Sequence, residues 1–127
     1  MAYKILMVED DSSIAAGLSY ALEKEGYLVT LCRKISQAFE EIKTVHFDLA
    51  LLDMQLPDGL GKEIGQKLLA EQTQVIYLTV VDDEDEIVRT LEDGAADYIT
   101  KPFRMRELMV RIKRTLNIKT EEQQVMR

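Results

Sequence analysis

The sequence predicts an α/β fold, a (βα)5 doubly wound parallel sheet, and three observations carry that prediction. Five short apolar runs alternate with five segments of helical periodicity, the pattern of a parallel sheet with helices on both faces. The runs Ile5–Val8 and Leu49–Leu52 have no polar residue between their apolar ones, as strands buried on both faces do. At 127 residues the chain has the size of one domain with its own core.

Strands are expected at Ile5–Val8, Leu28–Cys32, Leu49–Leu52, Val75–Leu78 and Tyr98–Thr100, each too short for a stable helix and rich in Val, Ile, Leu or Tyr. In the first helical segment Ile14, Leu18 and Leu22 share a face; Asp11 or Ser12 caps the start and Gly26 marks the end. The second runs from Ser36 to Lys43 with Ala38, Phe39 and Ile42 inward, and the third spans Leu60–Ala70. The fourth, Asp83–Glu92, carries its acids in the first turn, where they favour the helix dipole, and Gly94 ends it. The fifth runs from Met105 to Leu116, with Met105, Leu108, Ile112 and Leu116 inward by spacing. From Asn117 the tail is polar and unpatterned.

Composition excludes several classes. Hydrophobic residues at 46% and charged residues at 31% are ordinary for a globular chain and argue against disorder throughout. A formal net charge of −7 makes a poor nucleic-acid binder, because phosphate contacts need clustered Lys and Arg; any DNA binding has to come from another domain. Cys32 is the single cysteine, so no internal disulfide can form, which fits a reducing compartment, and a small buried hydrophobe is its expected role. The apolar run near Met1 is too short for a signal-peptide core or a membrane span, so a cytoplasmic protein without membrane association is expected. His46 reads as a surface histidine and Asp82–Glu86 as a solvated helix start.

Sites in doubly wound sheets form at the carboxyl ends of the strands. Glu9, Asp10 and Asp11 follow the first run, Asp53 the third, Thr79 the fourth and Lys101 the fifth. The second run ends in Cys32-Arg33 and adds nothing, as suits an edge strand. Carboxylates packed closely repel one another and need a cation; Mg²⁺ suits one or two carboxylates with waters and a phosphate. By themselves Glu9, Asp10 and Asp11 also read as a solvated turn capping a helix, the expected role of Asp11. Asp53 ends an apolar strand and precedes the turn signal Pro57-Asp58-Gly59. Lys101 is either an ion-pair partner of the acids or a point charge for a phosphoryl oxygen, and its bond to Pro102 is a candidate cis peptide. Thr79 offers a hydroxyl to the same oxygens. Together the set is complete for phosphoryl transfer onto a carboxylate, with Asp53 as nucleophile and Mg²⁺, Lys101 and Thr79 neutralising the transferring group.

The order Val8-Glu9-Asp10-Asp11, Leu52-Asp53, Leu56-Pro57-Asp58-Gly59, Leu78-Thr79 and Asp97-Tyr98-Ile99-Thr100-Lys101-Pro102-Phe103 resembles the receiver domain of response regulators, over residues 3–116. The resemblance implies a flavodoxin-like fold with strand order 2-1-3-4-5. It implies a phosphorylation-activated switch of a two-component system, whose only chemistry is its own Mg²⁺-dependent phosphorylation and dephosphorylation, with a sensor histidine kinase as phosphodonor. On this resemblance Asp53 is the phosphoacceptor; Asp10, Asp53 and the backbone carbonyl of Gln55 are direct Mg²⁺ ligands, and Glu9 acts through water. Thr79 and Lys101 form the phosphate-sensing pair and Tyr98 is the aromatic switch. Lys101-Pro102-Phe103, Arg106-Glu107-Leu108 and Arg111-Ile112 are similar to the winged-helix transcription-factor subfamily. Residues 117–127 are then expected to be an interdomain linker or tail, with a DNA-binding domain outside this chain. Val80 departs from the family, which usually carries Ala, Gly or Ser after the threonine; a β-branched side chain there narrows the approach to the phosphoryl group and bears on rates.

Other readings meet specific obstacles. A haloacid-dehalogenase-like phosphatase needs a second Asp two residues after its nucleophile, where Gln55 stands, and there is no room for its cap insertion. A flavin-binding module needs a Ser/Thr/Gly-rich loop after the first strand, where acids stand. The P-loop motif is absent. Within the family, a stand-alone receiver of a phosphorelay is the alternative. A homodimer on phosphorylation is also expected, through Val88, Leu91, Glu92, Asp97, Glu107, Met109, Arg111 and Lys113, an apolar patch ringed by opposite charges. The resemblance suggests pairs across it between Asp97 and Arg111 and between Glu92 and Lys113, while Ile87 stands where a basic residue often faces Glu107.

Overall fold

The computed structural model describes the backbone of residues 2–125 and the side chains of residues 2–117. In chain order the elements are β1 (Lys4–Val8), α1 (Ser12–Lys24), β2 (Leu28–Cys32), α2 (Ile35–Ile42), β3 (Leu49–Leu52), β4 (Gln55–Leu56), β5 (Gly59–Leu60), α3 (Gly61–Ala70), β6 (Gln74–Thr79), α4 (Glu84–Glu92), β7 (Asp97–Thr100) and α5 (Met105–Val125). Five strands form one parallel sheet in the order β2-β1-β3-β6-β7. With the short β4–β5 hairpin set aside this is the order 2-1-3-4-5, so the expected doubly wound, flavodoxin-like fold is the observed one. Strand β2 lies at an edge, as its featureless end suggested.

Side chains alternate across the sheet with a period of two and build two cores. Leu6, Val8, Ala50, Leu52, Val75 and Tyr77 face α2 and α3, meeting Ile35, Ala38, Ile64 and Leu68. Ile5, Met7, Leu49, Leu51, Ile76 and Leu78 face α1 and α5, meeting Ala15, Leu18, Leu22, Leu108, Ile112 and Leu116. Burying each Val, Leu, Ile or Met side chain among them contributes roughly 1.5–3 kcal/mol. The unbroken apolar runs are thus explained: both faces of β1 and β3 are covered. By contrast α4 is lightly held. Only Thr90 of this helix is buried, Ile87 packs in part against the first core, and Val88 and Leu91 are exposed.

Several expectations are adjusted. In α1 the buried positions are Ala15, Leu18 and Leu22, with Ile14, in the first turn of the helix, only half-buried. Met105, expected inward, is exposed: it opens α5 at the edge of the sheet, before the helix reaches the core at Leu108. Helix α5 continues past Asn117 to Val125, through a stretch whose sequence carries no apolar stripe. Residues 126–127 of the expected linker lie outside the described residues. Cys32 is buried and His46 exposed, as expected. Among the described residues no helix is long and apolar enough to cross a membrane.

Capping shows how loops are fixed. Asp11 accepts the Ser13 and Ile14 N–H groups at 3.0 and 3.1 Å, and Asp83 accepts that of Glu86 at 3.2 Å. Helix α2 begins at Ile35, not Ser36, and its cap position is Lys34, which makes no side-chain cap bond. Its cap comes from the far side of β3: Asp58 accepts the Ile35 N–H at 2.8 Å and the Ser36 N–H at 3.0 Å. These bonds hold the Asp58 carboxyl below its ordinary value. A lowered folded-state pKa adds stability that is present above the unfolded-state value and is lost as pH falls through the folded one. Asp58→Asn should therefore lower the melting temperature at pH 7, and the gap to wild type should close in acid, below the ordinary aspartate range. Melting curves across that range check this; a gap independent of pH would refute it.

Candidate functional site

The parallel ladders run one step past the strands and place the site. The Glu9 N–H donates to the Cys32 carbonyl at 2.9 Å, the Asp53 N–H to Val8 at 3.1 Å and the Lys101 N–H to Thr79 at 2.8 Å. Glu9, Asp53, Thr79 and Lys101 consequently meet at one edge, and the Lys101–Pro102 peptide is cis. The Lys101 ammonium donates to Asp53 Oδ2 at 2.8 Å and lies 2.6 Å from Glu9 Oε1, with all three side chains largely buried. Glu9 is only 3% exposed, deeper than a solvated turn allows. Asp10 is exposed at the mouth, and Asp11 serves as helix cap, as expected.

Charge does not balance here. Glu9, Asp10 and Asp53 each bring one carboxylate oxygen within 4.8 Å of the others, against the single ammonium of Lys101. Burial raises the Glu9 carboxyl above its usual value despite the hydrogen bonds from Lys101 and from the Asp11 N–H. Burial also works against the charged lysine, yet the hydrogen bonds to Asp53 and Glu9 outweigh it and raise Lys101. Three hard oxygen donors around an incomplete positive charge fit a divalent cation such as Mg²⁺. Gln55 opens β4, is exposed, and donates its N–H to Asp53 Oδ1 at 3.1 Å.

Thr79 and Tyr98 converge on one peptide. Thr79 Oγ1 accepts the Val81 N–H at 3.3 Å, and the Tyr98 hydroxyl donates to the Val81 carbonyl at 2.7 Å. Tyr98, expected to turn inward on activation, is inward in this structure: it is 7% exposed and stands 6.1 Å from the Tyr77 ring. Burial, with Glu86, Asp53, Asp82 and Asp83 near it, pushes its hydroxyl up to about 12. Val80 is exposed beside Thr79. On the α4–β7–α5 face, Val88, Leu91, Glu92 and Glu107 are exposed, and Met109 is half-buried against the second core. One of the two pairs expected between copies is formed within one, Arg111 meeting Asp97 at 3.3 Å; Arg111 also meets Glu107 at 3.0 Å, and Lys113 meets Glu25 at 3.1 Å rather than Glu92.

Two glycines were missed as site residues because spacing does not reveal close approach. A Cβ on Gly61 would lie 1.9 Å from the Asp53 carbonyl oxygen, and one on Gly65 would lie 2.0 Å from the Tyr77 hydroxyl. Helix α3 can thus start directly against Asp53, where the Gly61 N–H donates to the Met54 carbonyl at 2.7 Å.

Comparison with known proteins gives the lineage. The family model described as the response regulator receiver domain matches residues 5–113. This chain belongs to that family. Receiver domains are the signalling switches of two-component response regulators. This one is 37% identical over 123 residues to the nisin biosynthesis regulatory protein NisR of Lactococcus lactis, covering 96% of the chain and 53% of the relative. It is 38% identical over 117 residues to the phosphate regulon transcriptional regulatory protein PhoB of Escherichia coli, covering 89% and 51%. The receiver therefore spans about half the length of these curated relatives. Among solved structures it resembles a CheY-like receiver domain protein of Methanospirillum hungatei (TM-score 0.89, 33% identity, 96% of this chain and 99% of that one). It also resembles DrrB, an OmpR/PhoB homologue of Thermotoga maritima (TM-score 0.84, 32% identity, 94% and 54%).

The glycine contact yields a direct expectation. Gly61→Ala should cost about 1–3 kcal/mol, the usual range for overpacking, because the backbone carbonyl it meets cannot rotate away. Urea unfolding measures this; a wild-type midpoint would mean that the start of α3 shifts freely.

Proposed function

We propose that this receiver takes a phosphoryl group on Asp53 from a phosphohistidine of a sensor histidine kinase, with Mg²⁺ bound by Asp10, Asp53 and the Gln55 carbonyl and, through water, by Glu9. The observation that carries the reading is the cluster of Glu9, Asp10 and Asp53 around Lys101, with more carboxylates than ammonium groups. An Asp53 oxygen forms the new P–O bond as the P–N bond of the donor breaks. Lys101 stands beside the acceptor oxygen, placed to hold a phosphoryl oxygen as a point charge. Bound Mg²⁺ supplies neutralisation of the transferring group. Incubation with a small acyl phosphate and Mg²⁺ should add one phosphoryl group by intact mass. Chelation should abolish the adduct, and so should Asp53→Asn; an adduct of wild-type size in Asp53→Asn would refute the assignment.

The switch follows from the same groups. An added charge of about −1.5 to −2 draws the Thr79 hydroxyl off the Val81 N–H, while Tyr98 keeps the Val81 carbonyl. The loop ahead of α4 then changes its population of conformers. Relatedness to PhoB supports a transcriptional regulator of the winged-helix subfamily acting in the cytoplasm, with residues 117–127 leading into a DNA-binding domain outside this chain. A homodimer on phosphorylation, through the α4–β7–α5 face, completes the proposal. Arg111 and Lys113 exchange their intrachain acids for those of a second copy. Exposed pairs contribute only ~0–1 kcal/mol each, so the exchange is nearly neutral and Val88 and Leu91 supply the gain. Sedimentation with a Mg²⁺-dependent phosphoryl mimic should show dimers that Arg111→Glu disrupts. A chain that stays monomeric, or dimers indifferent to that substitution, would exclude this surface.

A further inference from the structure

The loop after Asp53 is tied down at both ends. At the near end, Gln55 donates to Asp53 Oδ1 and Gly61 to the Met54 carbonyl. Between the ends, Leu56 is buried in the core that Ile35, Met54 and Ile64 share. At the far end Asp58 accepts both the Ile35 and Ser36 N–H groups, more than twenty residues back in sequence. Gly59, at φ +149°, lets the chain pass where a Cβ would meet Ile35 Cδ1 and a Glu63 carboxylate oxygen, each at 3.2 Å. The short β4–β5 hairpin that carries Gln55 is thereby stretched between the acceptor strand and the start of α2. Lys34 makes no cap bond, and Gln37 of α2 reaches back only to the Arg33 N–H, at 2.7 Å, which leaves Ile35 and Ser36 to Asp58.

We infer, resting on the function proposed above, that Asp58 is a positioning residue: by pinning the acceptor loop to the N-terminus of α2 it sets how Asp53 and Gln55 hold Mg²⁺ and the phosphoryl group, and makes α2 register their arrival. The coupling is reciprocal, because any element whose position changes the affinity of a site responds equally when the site fills. Ile35 anchors the helix side of the joint, being 4% exposed within the same core.

The experiment uses this chain with Mg²⁺ and acyl phosphate. Asp58→Ala should raise the Mg²⁺ concentration needed for half-maximal phosphorylation roughly tenfold, the lower end of what losing a supporting contact around a metal site costs. The rate at saturating Mg²⁺ should fall less. Asp58→Asn, which keeps one acceptor oxygen, should recover most of the affinity. In wild type, the Ile35 and Ser36 amide resonances should shift on addition of Mg²⁺ and beryllium fluoride, a readout that needs no variant to fold. Wild-type Mg²⁺ dependence in a folded Asp58→Ala, or α2 amides that do not move in wild type, would overturn this inference alone. A wild type that takes no Mg²⁺-dependent adduct would overturn the underlying function and this inference with it.

Discussion

Like charges forced together at the end of a parallel sheet are the constraint on which the rest of this structure depends. Parallel ladders with matched register bring strand ends to one edge, and here those ends are Glu9, Asp53 and Lys101. Their repulsion is tolerable only because one ammonium bridges two carboxylates at hydrogen-bond distance. The buried sheet makes this possible. Its central strands are buried without a break over Ile5–Val8 and Leu49–Leu52, so Glu9 and Asp53 fall where those buried stretches stop.

That edge is then buttressed from the core layer that α2 and α3 share. Helix α3 approaches so closely that Gly61 has no space for a side chain against the Asp53 carbonyl, and α2 takes its cap from the loop that follows Asp53. On the other flank, Thr79 and Tyr98 each hold one polar group of the Val81 peptide. The close packing lies under Asp53, and the Val81 contacts follow the neighbouring strand β6.

The fold was almost wholly legible in the sequence, because five apolar runs alternating with helical segments, two of the runs without polar relief, admit few arrangements other than a covered parallel sheet. Asp53 and Lys101 were legible too, since strand-end position alone predicts that they meet, and they do. What escaped are relations between residues distant in sequence. Pro57-Asp58-Gly59 reads as a turn, and nothing local tells that its carboxylate serves α2. Gly61 and Gly65 read as ordinary residues at the start of a helix, because closeness to Asp53 and Tyr77 is a property of packing. Met105 fits an apolar stripe yet lies beyond the end of the core. The helical course of residues 117–125 escaped because that stretch carries no apolar stripe to signal it.

The thin attachment of α4 sets the energetic character of the whole domain. With one buried residue and two exposed aliphatic ones, this helix has little apolar area to lose when it moves. It belongs to the low end of the stability hierarchy, where local opening costs far less than global unfolding. A receiver built this way need not melt its core to transmit a message. On the function proposed here, the work done by a single new charge, a few kcal/mol at most, is enough to re-seat its loosest helix.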